Sequence, residues 1–363
     1  MNLHIVPDNT FINRFYANLI EAGVASNNRF VVRTNGSTLK SIKHDFSFAK
    51  PYTRKFDDLV GDTAQYDGVF IHQFSPLLYK WVATHAFKQL DWMVWGADLY
   101  NLPFVRAELY APLTQRYYVG RNTSIHHWLY LAKVWLLHAR YRRQAYSRVN
   151  HVLTWMKSEF DFACAQLDAL QASQRFFFYE NDLPYHALDQ MAKSGSNAAT
   201  GRPLYIVGNS ATPELNHLDA IDWMEENGVE ADLVVPLSYG DTRYAQFLMK
   251  QKPAYRHGTI RFLTEYMSFD AYLNLLASAD GLIMNNVRPQ GYGNILMMMY
   301  LGKQVFLNAR NLSVPELNDA GLIWEPLQHM VEKNERPWPN NRERVLNLLS
   351  HEKLIETYQS LFG

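Results

Sequence analysis

Two short stretches carry the residues best suited to gripping an anion. Gly208-Asn209-Ser210 follows the apolar run Leu204–Val207. Arg288-Pro289-Gln290-Gly291-Tyr292-Gly293-Asn294 follows Leu282–Met284 and precedes the apolar stretch Ile295–Leu301, which Gly302 ends. Glycines let a backbone approach a ligand closely, and the N–H groups opening a helix favour phosphate. Arg288 can add a charge-assisted, bidentate contact. The two loops together suit a diphosphate. No Gly-Lys-Ser/Thr follows, so neither is a Walker A loop, and the spacing is not the G-x-G-x-x-G of dinucleotide enzymes. A pair of plain tight turns is the competing reading.

Asp98 stands in Trp95-Gly96-Ala97-Asp98-Leu99-Tyr100, after the predicted strand Trp92–Trp95. Loops at the carboxyl ends of strands are where open α/β sheets bind ligands, and a carboxylate there can orient or deprotonate a hydroxyl. Asp is equally a common cap or turn residue. Asp8, after Leu3–Val6, and His72, after Val69–Ile71, share that edge. Arg106 can meet an acidic group of a substrate or make a surface ion pair. No pair or triplet of ligating residues demands a metal.

From Leu109 to Lys157 there are eight Lys and Arg and no Asp or Glu, interleaved with Tyr and Trp. Trp128–Leu137 is apolar around most of a helix and too short to cross a bilayer. Aromatic and basic residues together settle at a lipid–water interface. Trp128, Trp135, Arg142 and Arg143 are therefore expected to meet a membrane surface. A core helix with a solvated basic end competes with this. A nucleic-acid stripe lacks any recognisable reading motif, so no nucleic-acid partner is expected.

Short apolar runs alternating with helical stretches position these groups. Leu3–Val6, Phe30–Val32, Gly68–Ile71, Trp92–Trp95, His151–Thr154 and Phe176–Tyr179 read as strands of one set. Leu204–Val207, Leu233–Val235, Ile260–Phe262, Leu282–Met284 and Val305–Leu307 form a second. Alternation of this kind predicts parallel sheets covered on both faces. Helices are expected over Phe11–Ala22, from a Thr212-Pro213 start to Gly228, and after the capping Ser268. Small polar residues from Gln190 to Gly201 read as a linker. The predicted domains are 1–190 and 202–340, with 341–363 as a terminal amphipathic helix packing back across both.

Composition narrows the class. The 363 residues carry 35 Lys+Arg against 35 Asp+Glu, so overall charge points neither to nucleic acid nor to disorder. A single cysteine, Cys164, excludes a disulfide framework. Residues Met1–Asp8 show no secretory signal, and no apolar run is long enough to span a bilayer.

The strings Trp95–Tyr100, Val207-Gly208-Asn209-Ser210, Val234-Val235-Pro236, Phe269-Asp270-Ala271-Tyr272-Leu273 and Arg288-x-Gln290-Gly291-x-Gly293 resemble a known family. They are similar to the TDP-N-acetylfucosamine:lipid II N-acetylfucosaminyltransferases of enterobacterial common antigen synthesis, which are 4-alpha-L-fucosyltransferase-like. The resemblance runs along most of the chain, strongest from Leu204 to Asn308, and departs around Tyr117–Arg140. It implies an α/β GT-B glycosyltransferase fold, with two Rossmann-like domains facing a cleft. The C-terminal domain would hold the nucleotide diphosphate and the N-terminal one the acceptor. It also implies a peripheral enzyme on the cytoplasmic face of the inner membrane, extending a polyprenyl-diphosphate-linked saccharide.

The resulting expectation is a metal-independent hexosyltransferase without cofactor. It would move a 4-acetamido-4,6-dideoxy sugar from a dTDP-sugar donor. Gly208, Asn209, Ser210, Tyr239, Gln290, Gly291, Gly293 and Asn294 would bind the donor, with Arg288 and Asp98 catalytic and Asp8, His72 and Arg106 on the acceptor. The rival readings are a transferase of another capsule or O-antigen pathway with a different nucleotide sugar, and a non-catalytic nucleotide-sugar-binding subunit.

Overall fold

The strand β1 (Asn2–Pro7) alternates no polarity: Leu3, Ile5 and Val6 are buried and so is His4 between them. A strand buried on both faces belongs inside a parallel sheet covered by helices on either side. The structure, a computed structural model, shows this twice. It describes residues 1–121, 129, 140–179, 183–193, 201–251, 254–331, 341–348 and 350–363. Helices used below are α1 (Phe11–Glu21), α2 (Ala97–Tyr100), α3 (Pro112–Arg121), α4 (His217–Glu226), α5 (Phe269–Ser278), α6 (Tyr292–Tyr300) and α7 (His351–Phe362).

The first compact unit comprises the described parts of Met1–Val105, Ser124–Asn181 and Leu349–Gly363. Its strands are β1, β2 (Asn28–Arg33), β3 (Ser47–Ala49), β4 (Val69–His72), β5 (Leu90–Met93), β6 (His151–Leu153) and β7 (Ser173–Arg175). They pair in parallel in the order β3-β2-β1-β4-β5-β6-β7. Strand order reverses between β1 and β4, which makes their carboxyl ends the crevice where such sheets take ligands. Phe15 and Leu19 of α1 meet Leu354, Tyr358 and Phe362 of α7 in one core cluster with Phe30, Phe70 and Phe177.

The second unit comprises the described parts of Arg106–Thr123 and Asp182–Leu348. Its strands β8 (Leu204–Val207), β9 (Asp232–Pro236), β10 (Ile260–Leu263), β11 (Gly281–Met284), β12 (Gln304–Leu307) and β13 (Glu325–Pro326) run in the order β10-β9-β8-β11-β12-β13, again all parallel. Here the reversal lies between β8 and β11. Asp219 of α4 caps α3, accepting from the backbone of Leu113 at 2.8 Å and Thr114 at 3.0 Å and from the Thr114 hydroxyl at 2.7 Å. The units thus exchange chain: 106–121 folds with the second and α7 with the first.

Several expected elements shift. The strand anticipated at Trp92–Trp95 ends at Met93, leaving Trp95 in the loop. Phe176–Tyr179 is not a strand. The sheet strand is β7 just before it, and the Tyr179 carbonyl accepts from the Asn18 amide at 2.8 Å and the Tyr358 hydroxyl at 2.9 Å, not from a neighbouring strand. Four consecutive aromatics satisfied the apolar-run criterion without the alternation a ladder imposes. Thr212-Pro213 opens only a single 3₁₀ turn, Pro213–Leu215, and α4 starts after Asn216, which has φ 51°. Helix α6 begins at Tyr292, so Gly293 and Asn294 lie in its first turn. The terminal amphipathic stretch breaks in two, Arg342–Leu348 and α7, because Ser350 accepts from the Lys353 N–H at 3.1 Å and starts a new helix.

Candidate active site

In the second unit the two glycine loops sit at the carboxyl ends of β8 and β11, the two strands flanking the reversal. Gly208 has φ +69°, and a Cβ there would lie 2.4 Å from His217 Nε2. Gly291, at φ +70°, caps α6; a Cβ on it would meet Met284 Cε at 2.6 Å and the Asn209 amide at 3.2 Å. Both turns therefore need glycine, and the loops touch through Asn209 and Gly291. Gln290 joins them by side chain: its Nε2 donates to Ser210 Oγ at 3.4 Å, and its Oε1 accepts from Arg288 Nε and Nη2 at 2.8 and 2.6 Å. Buried Asn286 staples the turn by donating to the carbonyls of Arg288 and Gln290 at 2.6 and 3.2 Å. No acidic residue occupies the first turn of α6, and no side chain caps it. Asn294 Oδ1, in that turn, accepts from the Tyr272 hydroxyl of α5 at 3.0 Å. An open helix start beside a guanidinium suits a diphosphate.

Around these loops, Asn209 Oδ1, Asn286 Oδ1 and His217 Nε2 are buried without a partner among the described residues. Burial lowers His217 to about 3, so its ring is neutral. Tyr239 stands at the carboxyl end of β9, next to β8, and is 80% exposed. Its carbonyl accepts from the Ala211 N–H at 2.6 Å, which ties this loop to the one after β8. Gly240 makes the approach possible, since a Cβ there would stand 2.7 Å from the Ala211 carbonyl oxygen. All the donor residues expected from the sequence thus lie along one edge of one sheet.

The first unit arranges its edge differently. Asp98, only 5% exposed, accepts from the N–H of Phe74 at 2.8 Å, Trp92 Nε1 at 2.6 Å and the N–H of Trp95 at 3.1 Å. Burial raises its pKa, with the Trp92, Phe74 and Trp95 bonds opposing. A carboxylate so engaged organises the loops after β4 and β5. The base role expected of it would need an accessible oxygen, whereas these bonds suit the orienting role. His72 is wholly buried, with Nε2 3.0 Å from His4 Nδ1 and Nδ1 2.8 Å from the Tyr179 hydroxyl, so both ring nitrogens are engaged inside the unit. Asp8 binds its own scaffold. Although partial burial works against its charge, the N–H groups of Lys40, Ser41 and Ile42, together with the Lys40 ammonium, hold it below the usual carboxylate range. Arg33 ends β2, on the other side of β1 from β4. Its Nη2 donates to Gln73 O and Oε1, each at 2.8 Å, while its Nε is buried without a partner among the described residues. Burial lowers this guanidinium to about 10, with Asp98 opposing. Gln73 itself has φ 58°, a costly conformation for a side chain other than glycine.

Arg106 lies in the second unit, where its Nε donates to the Tyr110 hydroxyl at 2.9 Å and stands 3.9 Å from buried Glu214. Of the expected membrane residues, Trp128 and Trp135 lie outside the described residues. Arg142 stacks over Phe104 at 4.8 Å and Arg143 pairs with Asp168 at 2.5 Å. Among the described residues, no helix is long and apolar enough to cross a membrane, and no group of three His, Cys, Asp or Glu could hold a metal ion.

The model of the family described as 4-alpha-L-fucosyltransferase, glycosyl transferase group 56, matches residues 131–331, more than half of the chain. The protein belongs to this family. Solved structures agree on architecture. The group 56 chain is similar to a sucrose-phosphate synthase from Thermosynechococcus elongatus, with TM-score 0.61 and 11% identity over 100% of this chain and 98% of that one. It is similar to an α,α-trehalose 6-phosphate synthase from Burkholderia multivorans, with TM-score 0.57 and 9% identity over 99% and 95%. It is also similar to Anabaena Alr3699/HepE, solved with UDP and glucose, with TM-score 0.54 and 12% identity over 99% and 97%. At these identities the likeness shows the fold: two parallel-sheet α/β units of the GT-B type. By family and fold the protein is a glycosyltransferase. In the group 56 chain, Arg33, Gln73 and His217 escaped the sequence reading. No local pattern marks a strand-end arginine, or a histidine that becomes special only through the glycine packed on it.

Proposed function

We propose that the protein transfers a hexosyl group from a nucleoside diphosphate sugar to a lipid-linked saccharide. The carrying observation is the meeting of the two glycine loops at the β8/β11 reversal, coupled through Gln290 to Arg288. The donor diphosphate would rest on the backbone of Gly208–Ser210 and the first turn of α6, with Arg288 meeting the negative charge that grows on the leaving group. Stabilising charge where it develops is the largest catalytic contribution such a site can make. That role needs no divalent cation, so we assign a metal-independent reaction. Tyr239 would border the nucleoside.

The sugar and pathway follow from the resemblance: a 4-acetamido-4,6-dideoxyhexose carried on dTDP, added to a polyprenyl-diphosphate-linked saccharide in enterobacterial common antigen synthesis. The acceptor would bind at the edge of the first sheet. The enzyme would work on the cytoplasmic face of the inner membrane, held by Trp128, Trp135, Arg142 and Arg143. The complex of HepE with UDP favours a second reading, the same chemistry with a UDP-sugar in another surface-glycan pathway.

A thermal-shift screen of dTDP, UDP, GDP and CMP separates these, because a ligand bound only by the folded state raises its apparent stability. A shift with dTDP alone supports the first reading and a shift with UDP alone the second. No shift with any of them removes the nucleotide site. Liposome flotation tests docking: wild type and a variant altered at all four membrane residues should partition differently, and equal partitioning ends that assignment.

A further inference from the structure

The buried histidines of the first unit have no part in the reaction above, yet their hydrogen bonds leave no freedom of direction. Asn28 Nδ2 donates to the carbonyls of Val24 at 2.7 Å and Phe362 at 3.0 Å, which turns Oδ1 toward His4. That oxygen is 2.9 Å from His4 Nε2, so Nε2 must carry the hydrogen. Burial lowers His4 to about 4, so the ring is neutral and its Nδ1 is a bare acceptor. His72 Nε2, 3.0 Å away, must then donate. His72 Nδ1 is left to accept from the Tyr179 hydroxyl at 2.8 Å, and the Tyr179 oxygen accepts the indole N–H of Trp95. One fixed chain runs from the end of α7 to Trp95.

Trp95 lies in the loop after β5, partly exposed, with its backbone N–H held by Asp98. Phe11, the first residue of α1 and 51% exposed, meets its ring at 5.8 Å and 76°. The two rings come from the segments after β1 and β5, on either side of the strained Gln73 turn after β4. The indole's only polar atom is consumed internally, so what Trp95 offers outward is apolar ring, at the edge where α/β sheets bind ligands. A pyranose ring presents a patch of C–H groups of matching size and polarity.

We propose that Trp95, flanked by Phe11, is a saccharide-stacking residue, and that the Asn28–His4–His72–Tyr179 chain positions its ring. This rests on the glycosyl-transfer reading and assigns the ring to the acceptor's sugar. The probes are cellobiose and N,N′-diacetylchitobiose, titrated into ¹⁵N-indole-labelled full-length protein, with dTDP as a separate titration. The Trp95 indole signal, identified by its loss in Trp95→Phe, should shift with at least one disaccharide. Trp95→Ala and Phe11→Ala should weaken that disaccharide roughly tenfold, as loss of one aromatic contact would, while Trp95→Phe retains most affinity. Tyr179→Phe should move the Trp95 indole signal and weaken the disaccharide with dTDP affinity unchanged, which a purely structural role would not do. Neither disaccharide shifting Trp95, or undiminished binding by Phe11→Ala and Trp95→Ala, overturns the proposal. If disaccharides bind as expected and dTDP does not, the donor assignment falls and this one stands.

Discussion

Arg288 is held by Gln290: two guanidinium nitrogens point at one amide oxygen, at 2.8 and 2.6 Å, and the same amide reaches Ser210 of the neighbouring loop. The cation is thereby fixed before any ligand arrives, which is the condition for charge stabilisation without reorganisation. Arg288→Ala should lower turnover roughly a hundredfold with the denaturation midpoint unchanged. Arg288→Lys should recover little of it, because an ammonium cannot make the same forked contact. Near-normal turnover of the alanine variant in a transfer assay would remove Arg288 from the reaction.

Gly293 and Gly291 should respond in opposite ways to an added methyl. A Cβ at Gly293 meets nothing within 4 Å, and the residue lies inside α6. Gly293→Ala should therefore stabilise the fold by up to about 1 kcal/mol while weakening nucleotide binding, since the methyl enters the space beside the helix start. Gly291→Ala, at φ +70° and 2.6 Å from Met284 Cε, should cost about 1–2 kcal/mol. Urea denaturation and nucleotide titration of both variants check this. Gly293→Ala binding nucleotide as tightly as wild type would contradict the placement of the ligand.

Asp98→Asn separates a base from a positioning group. Asn offers one acceptor oxygen and turns an NH₂ toward a donor N–H, so at least one buried bond is lost. We expect about 1–3 kcal/mol of destabilisation. A variant with full stability and abolished transfer would reinstate Asp98 as the base.

Acid should unfold the protein through its histidines. Burial lowers His4 to about 4, lowers His217 to about 3, and lowers His72 well below the ordinary 6.5. Above pH 6.5 neither folded nor unfolded chain protonates these rings, and their stabilising contribution is complete. As pH falls from 6.5 the unfolded chain takes up protons the folded one refuses, at about 1.4 kcal/mol per ring per pH unit. Asp91 and Asp98, raised by burial, have the opposite sign but are fewer. The urea midpoint should fall between pH 7 and pH 5, and a level profile there would show that the imidazoles are not buried neutral.

The alternation of apolar runs and punctuated helices made both parallel sheets legible, because a strand covered on two faces must be apolar throughout. The two glycine loops were legible for a related reason: Gly208 and Gly291 mark turns that no other residue adopts cheaply. The arrangement at the edge of the first sheet was not. Asp98 and His72 look in sequence like reactive groups at strand ends, and only their partners, Trp92, Phe74, His4 and Tyr179, show that their polar atoms are already engaged. Chain exchange was equally hidden, since nothing in Pro112–Arg121 reveals that Asp219, about a hundred positions later, will cap it.

That exchange bears on how the polypeptide matures. Phe15 and Phe177 wait for Tyr358 and Phe362, and Asn28 waits for the carbonyl of Phe362. The amino-terminal sheet is thus incomplete on the ribosome until residues 354–362 have been made. A fragment ending at residue 348 would leave those rings wet, an aggregation hazard rather than a smaller working enzyme.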